Sequence, residues 1–310
     1  MTILVTGGAG FIGSHVVDAY LTAGHRVVVV DDLSSGRREN VHSDAEFHQM
    51  DIRSKDVWKL FERQQIEVLN HHAAQMDVRK SVADPSFDAS VNILGGLNLF
   101  EACRQHGVRK IIFASTGGAI YGEQDSFPAD EQHPTRPLSP YGISKLATER
   151  YLYYYRQVHG IDYVVLRYAN VYGPRQNPHG EAGVVAIFSS RMIQHQRPVI
   201  NGDGLQTRDY TFVSDVAQAN LLALGYAGSE IFNVGTGAET DVNTVCGILS
   251  KHLDANVQPE HGPAKAGEQR RSVISSERLF RTFGWRPGVD IETGLKKTAE
   301  FFRHIKDKPR

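Results

Sequence analysis

Thr2-Ile3-Leu4-Val5-Thr6-Gly7-Gly8-Ala9-Gly10-Phe11-Ile12-Gly13 is the stretch whose reading decides the fold. An apolar run empties into a glycine turn, and the helical run Ser14-His15-Val16-Val17-Asp18-Ala19-Tyr20-Leu21 follows. A strand, a glycine turn and a helix in that order hold the pyrophosphate of a dinucleotide. Gly7 permits the tight turn, Gly10 lets backbone N–H groups approach the phosphates, and Gly13 lets the helix pack close. The partly positive helix start then faces the anion. Gly7, Gly10, Phe11, Ile12 and Gly13 are therefore candidate cofactor-binding residues.

Working outward, Arg26-Val27-Val28-Val29-Val30-Asp31-Asp32 reads as the second strand of a βαβ unit, ending in carboxylates. Asp31 stands 24 residues after Gly7, near the spacing at which an acidic side chain reaches the adenosine ribose hydroxyls. A carboxylate there repels a 2′-phosphate, so NAD is expected over NADP, although Arg37 and Arg38 lie nearby. The alternative, that Asp31 and Asp32 merely cap a turn, stays open for Asp32.

The alternation continues. Glu46-Phe47-His48-Gln49-Met50-Asp51, Val68-Leu69-Asn70-His71-His72-Ala73-Ala74, Arg109 to Ser115 and Asp162 to Tyr168 read as further strands, with a long helix near Ser86 to His106. This is the pattern of an α/β protein with a Rossmann-type doubly wound parallel sheet. Beyond Tyr172 the chain loosens into Gly-, Pro- and Asn-rich segments. We expect residues 1–172 to form the dinucleotide-binding domain, with roughly 209–235 returning to it. Residues 173–310 then form mainly a smaller C-terminal substrate-binding lobe over the carboxyl edge of the sheet, where ligands bind in such folds.

Composition narrows the function classes. The chain has 310 residues, 41% hydrophobic and 22% charged, which suits a globular protein with a sizeable core. A net charge of −1 gives no electrostatic case for nucleic acid or an anionic membrane. No apolar run has the length of a membrane span, and a strand beginning at Thr2 leaves no room for a signal peptide. With only Cys103 and Cys246, far apart, reduced thiols in a cytoplasmic protein are expected. Adjacent His71 and His72 point to opposite faces of a strand, so no metal site is expected and both are read as structural.

Ser139-Pro140-Tyr141-Gly142-Ile143-Ser144-Lys145-Leu146 carries the chemistry. Ser139 suits a helix N-cap and Pro140 the first helical position. Tyr141 and Lys145 then share one helical face at i and i+4. A phenol titrates near pH ~10 in water, too high for a base at neutral pH. A nearby ammonium and an oxidised nicotinamide ring both favour phenolate, which brings the tyrosine toward working pH. Tyr141 is the candidate proton acceptor from a substrate alcohol, and Lys145 its electrostatic partner.

With these residues in hand, the chain resembles the extended short-chain dehydrogenase/reductases, and within them the UDP-glucose 4-epimerase group. The matching segments are Thr6 to Gly13, His72-Ala73-Ala74-Gln75, Ser115 to Gly122, Tyr141 to Lys145, Leu166 to Pro174, Arg208-Asp209-Tyr210 and Gly284-Trp285-Arg286-Pro287. The resemblance implies a tightly held NAD and reversible oxidation at C4 of a UDP-hexose. Tyr141 would take the C4-hydroxyl proton as hydride passes to NAD. The 4-keto sugar would then turn over and be reduced on its other face. Thr116, with Ser115 as its alternate, would hydrogen-bond the same oxygen. Asp51, Ile52, Ala73, Ala74, Gln75, Asn92 and Tyr168 would join the cofactor site. A homodimer is also implied, with core or subunit packing for Tyr151, Tyr153, Tyr154 and Tyr155.

Relatives that dehydrate or decarboxylate nucleotide sugars share this scaffold, and a non-enzymatic dinucleotide sensor keeps the glycine loop. Dehydratases need a carboxylate just after the Thr, where this chain has Gly117 and Gly118. A sensor typically loses the Tyr/Lys pair, which is present. For the substrate, the resemblance implies Asn170 and Arg208 at the sugar and diphosphate, with Lys265 and Glu268 clamping the nucleotide. Arg167 is read as structural. Ser272 stands where bulky residues restrict related epimerases to glucose and galactose. Its small side chain leaves room for a 2-acetamido group, so both plain and N-acetylated UDP-hexoses are expected as substrates.

Overall fold

A computed structural model describes residues 1–179, 183–255, 257–264 and 269–306. Six of the strands in the main sheet are β1 (Thr2–Thr6), β2 (Arg26–Asp31), β3 (Glu46–Gln49), β4 (Val68–His71), β5 (Lys110–Thr116) and β6 (Asp162–Tyr168). With Glu230–Val234 they make a seven-stranded sheet in the order Glu230–Val234, β6, β5, β4, β1, β2, β3. All pairs are parallel. The chain order reverses at β1, which leaves a crevice between the carboxyl ends of β1 and β4, where such folds bind ligands.

The apolar runs explain the layering. Parallel strands covered on both faces read as continuous hydrophobic stretches, and successive side chains point to opposite faces. Ile3 and Val5 accordingly pack with Val16, Val17 and Tyr20 of the Phe11–Thr22 helix and with Val216 and Ala219 of the Val213–Gly225 helix. Leu4 turns the other way, onto Leu60, Phe61, Leu99 and Phe100. Each such fully buried aliphatic contributes roughly 1.5–3 kcal/mol. The Pro140–His159 helix joins this second layer through Leu152 and Tyr155.

A separate core, centred on Tyr172, Phe188, Met192, Tyr210, Phe212 and Leu249, lies in the later part of the chain. Its strands are only two or three residues long. The Val213–Gly225 helix and the Glu230–Val234 strand pack with the main sheet. So do Leu279 and Trp285, which the sequence reading left in the smaller lobe. Trp285 Nε1 donates to the Asp215 carbonyl at 3.2 Å, which fixes the ring there.

The long helix expected from Ser86 to His106 is interrupted. Pro85–Ala89 is α-helical, Ser90–Leu94 is a π-helical turn, and Gly95–Gln105 resumes the α-helix. Apolar periodicity alone does not register such a widening, which in helices is often tied to function.

Candidate active site

The Phe11–Thr22 helix starts at Gly10 with no side-chain cap, whereas Ser139 and Asp241 cap the helices that follow them. First-turn N–H groups with no cap are left free for an anion. Gly7 has φ +72° and lies so close to the end of β4 that a Cβ there would sit 2.6 Å from the Ala73 nitrogen. A Cβ on Gly13 would sit 2.2 Å from the Gly7 carbonyl oxygen. The helix therefore packs on the glycine turn itself, and both positions exclude any side chain.

A cavity of about 330 Å³ opens beside this turn. Its lining includes Gly7, Gly10, Phe11, Asp31, Asp51, Ile52, Ala73, Ala74 and Gln75, nine of the residues expected at the cofactor. Asp31 is buried, and its oxygens accept from the N–H of Ala9 at 3.0 Å and of Leu33 at 2.9 Å. It thus clamps the glycine loop, and burial pushes its carboxyl above the usual range. Asp32 instead caps a turn, accepting from the Ser34 N–H at 2.8 Å and hydroxyl at 2.6 Å. Arg37 lines the cavity, while Arg38 lies over the Phe47 ring. Asp51 is held by Arg53.

Ile12, Gly13, Asn92, Tyr141, Lys145 and Tyr168, also expected at the cofactor, are not on the lining of this cavity. The Tyr168 hydroxyl accepts from Asn220 Nδ2 at 2.8 Å and shares a hydrogen bond with His72 Nε2 at 3.1 Å. It supports the turn after β4 from within the core. His71 and His72 are both kept neutral by burial, with the Lys145 cation pushing the same way. Asn92 grips Gln75 in both directions, its Oδ1 accepting from the Gln75 N–H and its Nδ2 donating to the Gln75 carbonyl. The sequence reading missed Lys80 and Arg175, which also line the cavity. Arg175 directly follows Gly173-Pro174, but no motif spacing marks either residue.

Ser139 Oγ accepts from the Gly142 N–H at 3.2 Å, and Pro140 opens the helix, as the sequence predicts. Lys145 is buried and donates to the Ala114 carbonyl at 2.9 Å. Its Nζ lies 5.9 Å from the centre of the Tyr141 ring and 4.7 Å from that of Phe113. Burial lowers Lys145 to about 8, against the opposing pull of Asp88 and Glu149. Thr116 ends β5 and N-caps the short Gly117–Ile120 helix. That helix comes so near the Tyr141 helix that a Cβ on Gly142 would sit 2.9 Å from the Ala119 carbonyl oxygen.

Ser115, expected as the alternate to Thr116, donates from its Oγ to Glu149 Oε1 at 2.6 Å. Alternation along the strand sends the two hydroxyls to opposite faces. Glu149 is also held twice by Arg167, in a buried pair that Tyr121 joins through its hydroxyl. Arg167 therefore anchors the Pro140–His159 helix to β6.

Asn170 and Arg208 line a second cavity of about 220 Å³, with Tyr172, Gln176, Phe188 and Tyr210 among its other walls. Gly118 lies between this cavity and Thr116. A Cβ there would lie 3.6 Å from Asn170 Oδ1 and 3.9 Å from Thr116 Oγ1. Ser272 pairs in parallel register with Arg208 and is buried one strand over, not on the lining of this cavity. Lys265 and Glu268 lie outside the described residues. A further cavity of about 690 Å³ lies elsewhere, along the Val242–Leu253 helix.

An uncapped helix start on a glycine turn, together with a tyrosine and a buried lysine one turn apart on another helix, defines a nicotinamide-dinucleotide enzyme of the short-chain dehydrogenase/reductase type. Comparison with known proteins narrows that class. The NAD dependent epimerase/dehydratase family matches residues 3–235, and the chain belongs to that family. A UDP-glucose 4-epimerase of Mycolicibacterium smegmatis is 47% identical over 310 residues, 98% of this chain and 99% of that one. The solved UDP-glucose 4-epimerase of Thermotoga maritima, with UDP-glucose, superposes with a TM-score of 0.97 at 47% identity. It covers 99% of this chain and 100% of its own. The Thermus thermophilus UDP-glucose 4-epimerase, in complex with NAD, gives a TM-score of 0.92 at 47% identity, with 98% and 99% covered. NAD is the cofactor of this family, and the Gly7–Gly13 cradle, which side chains would fill, fits it.

Among the described residues, no helix is long and apolar enough to cross a membrane. None of their His, Cys, Asp and Glu side chains form a group of three or more able to hold a metal ion.

Proposed function

We propose that this protein interconverts UDP-hexoses that differ in configuration at C4, using bound NAD. The observation that carries the reading is the placement of Gly118, against both Thr116 Oγ1 and the Asn170 amide. It stands where the catalytic turn meets the substrate cavity and offers neither acid nor base.

When bound, NAD supplies the acceptor and later the donor of hydride. Tyr141, as phenolate, takes the proton of the C4 hydroxyl, and the Lys145 ammonium favours that phenolate. Thr116 hydrogen-bonds the same oxygen as it becomes a ketone. Arg208 pairs with the diphosphate by forked donation, and Asn170 contacts the sugar or its phosphate. With glycine at 117 and 118 no carboxylate follows Thr116 to assist elimination, so the ketone is reduced again. Tyr141 returns its proton to the oxygen. A sugar that has turned over in the cavity then emerges as the C4 epimer.

The test is incubation of the purified protein with UDP-galactose and UDP-N-acetylgalactosamine, without added cofactor, followed by separation of isomers and mass measurement. Products of unchanged mass with the C4-epimeric sugar are expected from both. A product lighter by one water would sink the reading in favour of a dehydratase. Acceptance of the N-acetylated sugar rests on the small Ser272, which is buried beside Arg208 one strand behind the cavity wall. Ser272→Tyr should remove that activity selectively, and equal loss on both sugars would unseat Ser272.

The exposed Tyr151, Tyr154 and Val158 follow one another along one side of the Pro140–His159 helix, and we read this face as a homodimer contact. A monomer in sedimentation at micromolar concentration would refute it.

A further inference from the structure

The acidic side chain Asp88 has no part in the scheme above, yet it is fully buried against the catalytic helix. Its Oδ2 accepts from Ser144 Oγ at 2.6 Å, one residue before Lys145. Its Oδ1 accepts from Gln75 Nε2 at 3.1 Å and Asn92 Nδ2 at 3.0 Å. The π-helical turn at Ser90–Leu94 follows immediately and carries Asn92, whose Oδ1 and Nδ2 also hold the Gln75 backbone. Three neutral donors from three segments thus converge on one carboxylate. Thr148 adds a further tie, donating from the catalytic helix to the Asn92 carbonyl at 3.3 Å.

Neutral hydrogen bonds orient a buried carboxylate but do not balance its charge, and an unbalanced buried charge is strongly unfavourable. The groups around Lys145 show where the balance lies. From its own helix come Tyr141 and Glu149, from the end of β4 come His71 and His72, and from the Pro85–Ala89 helix comes Asp88. Both histidines are held neutral by burial. Glu149 is matched by the doubly bonded guanidinium of Arg167. Asp88 has only neutral hydrogen-bond donors, and its field favours the Lys145 ammonium.

We infer that Asp88 is a positioning residue for the reaction: it holds the charge on Lys145 and, through Ser144, Gln75 and Asn92, ties the catalytic helix to the cofactor-side turn. The assignment rests on the acid–base reading of Tyr141 and Lys145 given above. It explains why a helix otherwise suited to core packing carries a π turn here. The wider turn sets Asn92 between the carboxylate and the Gln75 backbone. It also explains how a lysine so deeply buried remains a cation near neutral pH.

Asp88→Asn removes the charge and keeps the shape. In the NAD-loaded protein labelled at the lysine side chain, the Lys145 Cε resonance is identified by its absence in Lys145→Arg. Its titration midpoint is expected to fall by on the order of one pH unit in Asp88→Asn, the usual effect of losing an opposite charge nearby. The alkaline limb of the kcat profile should move down with it, while KM for UDP-galactose changes less than about twofold. In a Lys145→Arg background, whose guanidinium stays charged, Asp88→Asn should leave the limb in place. Should Asp88→Asn not fold, Asp88→Ser carries the same test, since it too removes the charge. An unmoved Cε midpoint would overturn the proposal and show that Asp88 is protonated or only structural. The resonance reports the Asp88–Lys145 coupling whether or not a sugar is turned over, so its failure is separable from failure of the epimerase reading.

Discussion

Around the glycine turn the backbone itself makes the site, whereas around Asn170 and Arg208 side chains on strands of two and three residues make it. The first region is rigidly specified. Gly7 lies against the end of β4, Gly13 against Gly7, and Asp31 is fastened to Ala9 and Leu33. The second hangs on short pairings such as Asn170–Tyr172 with Tyr210–Phe212 and Thr207–Arg208 with Arg271–Ser272. A cofactor that stays bound calls for the former. A sugar that must rotate between oxidation and reduction calls for the latter, with its grip concentrated on the diphosphate.

That contrast breaks most completely at Gly13. Gly13→Ala puts a methyl 2.2 Å from a backbone oxygen that has no room to move, so the protein should be isolated without NAD and without activity. Gly225→Ala, whose Cβ meets nothing within 4 Å, is the matched control and should keep both. Absorbance of the released nucleotide measures the outcome. Retention of NAD by Gly13→Ala would show that the turn is softer than its geometry implies.

On the substrate side, Arg208→Ala should raise KM for UDP-galactose by about 10- to 100-fold, the range expected for lost charge-assisted hydrogen bonds. NAD content and kcat should stay near wild type. Arg208→Lys should restore only part, because a point charge replaces a fork. An equal loss in kcat would show that Arg208 acts on the reacting sugar rather than the diphosphate.

The smallest expected effect is a divergence with pH. Burial lowers Lys145 to about 8, so its charge is lost as pH rises through that value, and turnover should decline there. Over the interval from about 8 to the ordinary lysine value, the unfolded chain holds this proton more tightly than the folded one. The contribution of this group to stability therefore grows with pH while activity falls. Profiles of kcat and Tm recorded together would separate the two. A Tm that drops in step with kcat would attribute the alkaline limb to unfolding instead.

The same contrast governs what was legible in the sequence. Glycines that exclude side chains leave an invariant spacing, and β1, β2 and β6 are long apolar runs that fall where they were read. The Ser139-Pro140 helix start was equally plain, because cap and proline chemistry are local. The π turn at Ser90–Leu94 was not, since its hydrophobic pattern matches that of an α-helix. Tyr168 and Ser115 show one limit: a motif gives the residue but not the partner its hydroxyl finds, here Asn220 with His72 and Glu149 respectively. Asn170 and Arg208 reach one cavity from different short strands, which only the resemblance to a family, and no local pattern, suggested.

The most direct test of the central claim is the turnover of Tyr141→Phe, purified with its nucleotide in place. If Tyr141 is the base that Lys145 sustains, kcat for UDP-galactose should fall by about 100- to 10,000-fold, with NAD content and KM near wild type. Turnover within a few-fold of wild type in a fully loaded protein would contradict the account, and the proton would have to leave by another group.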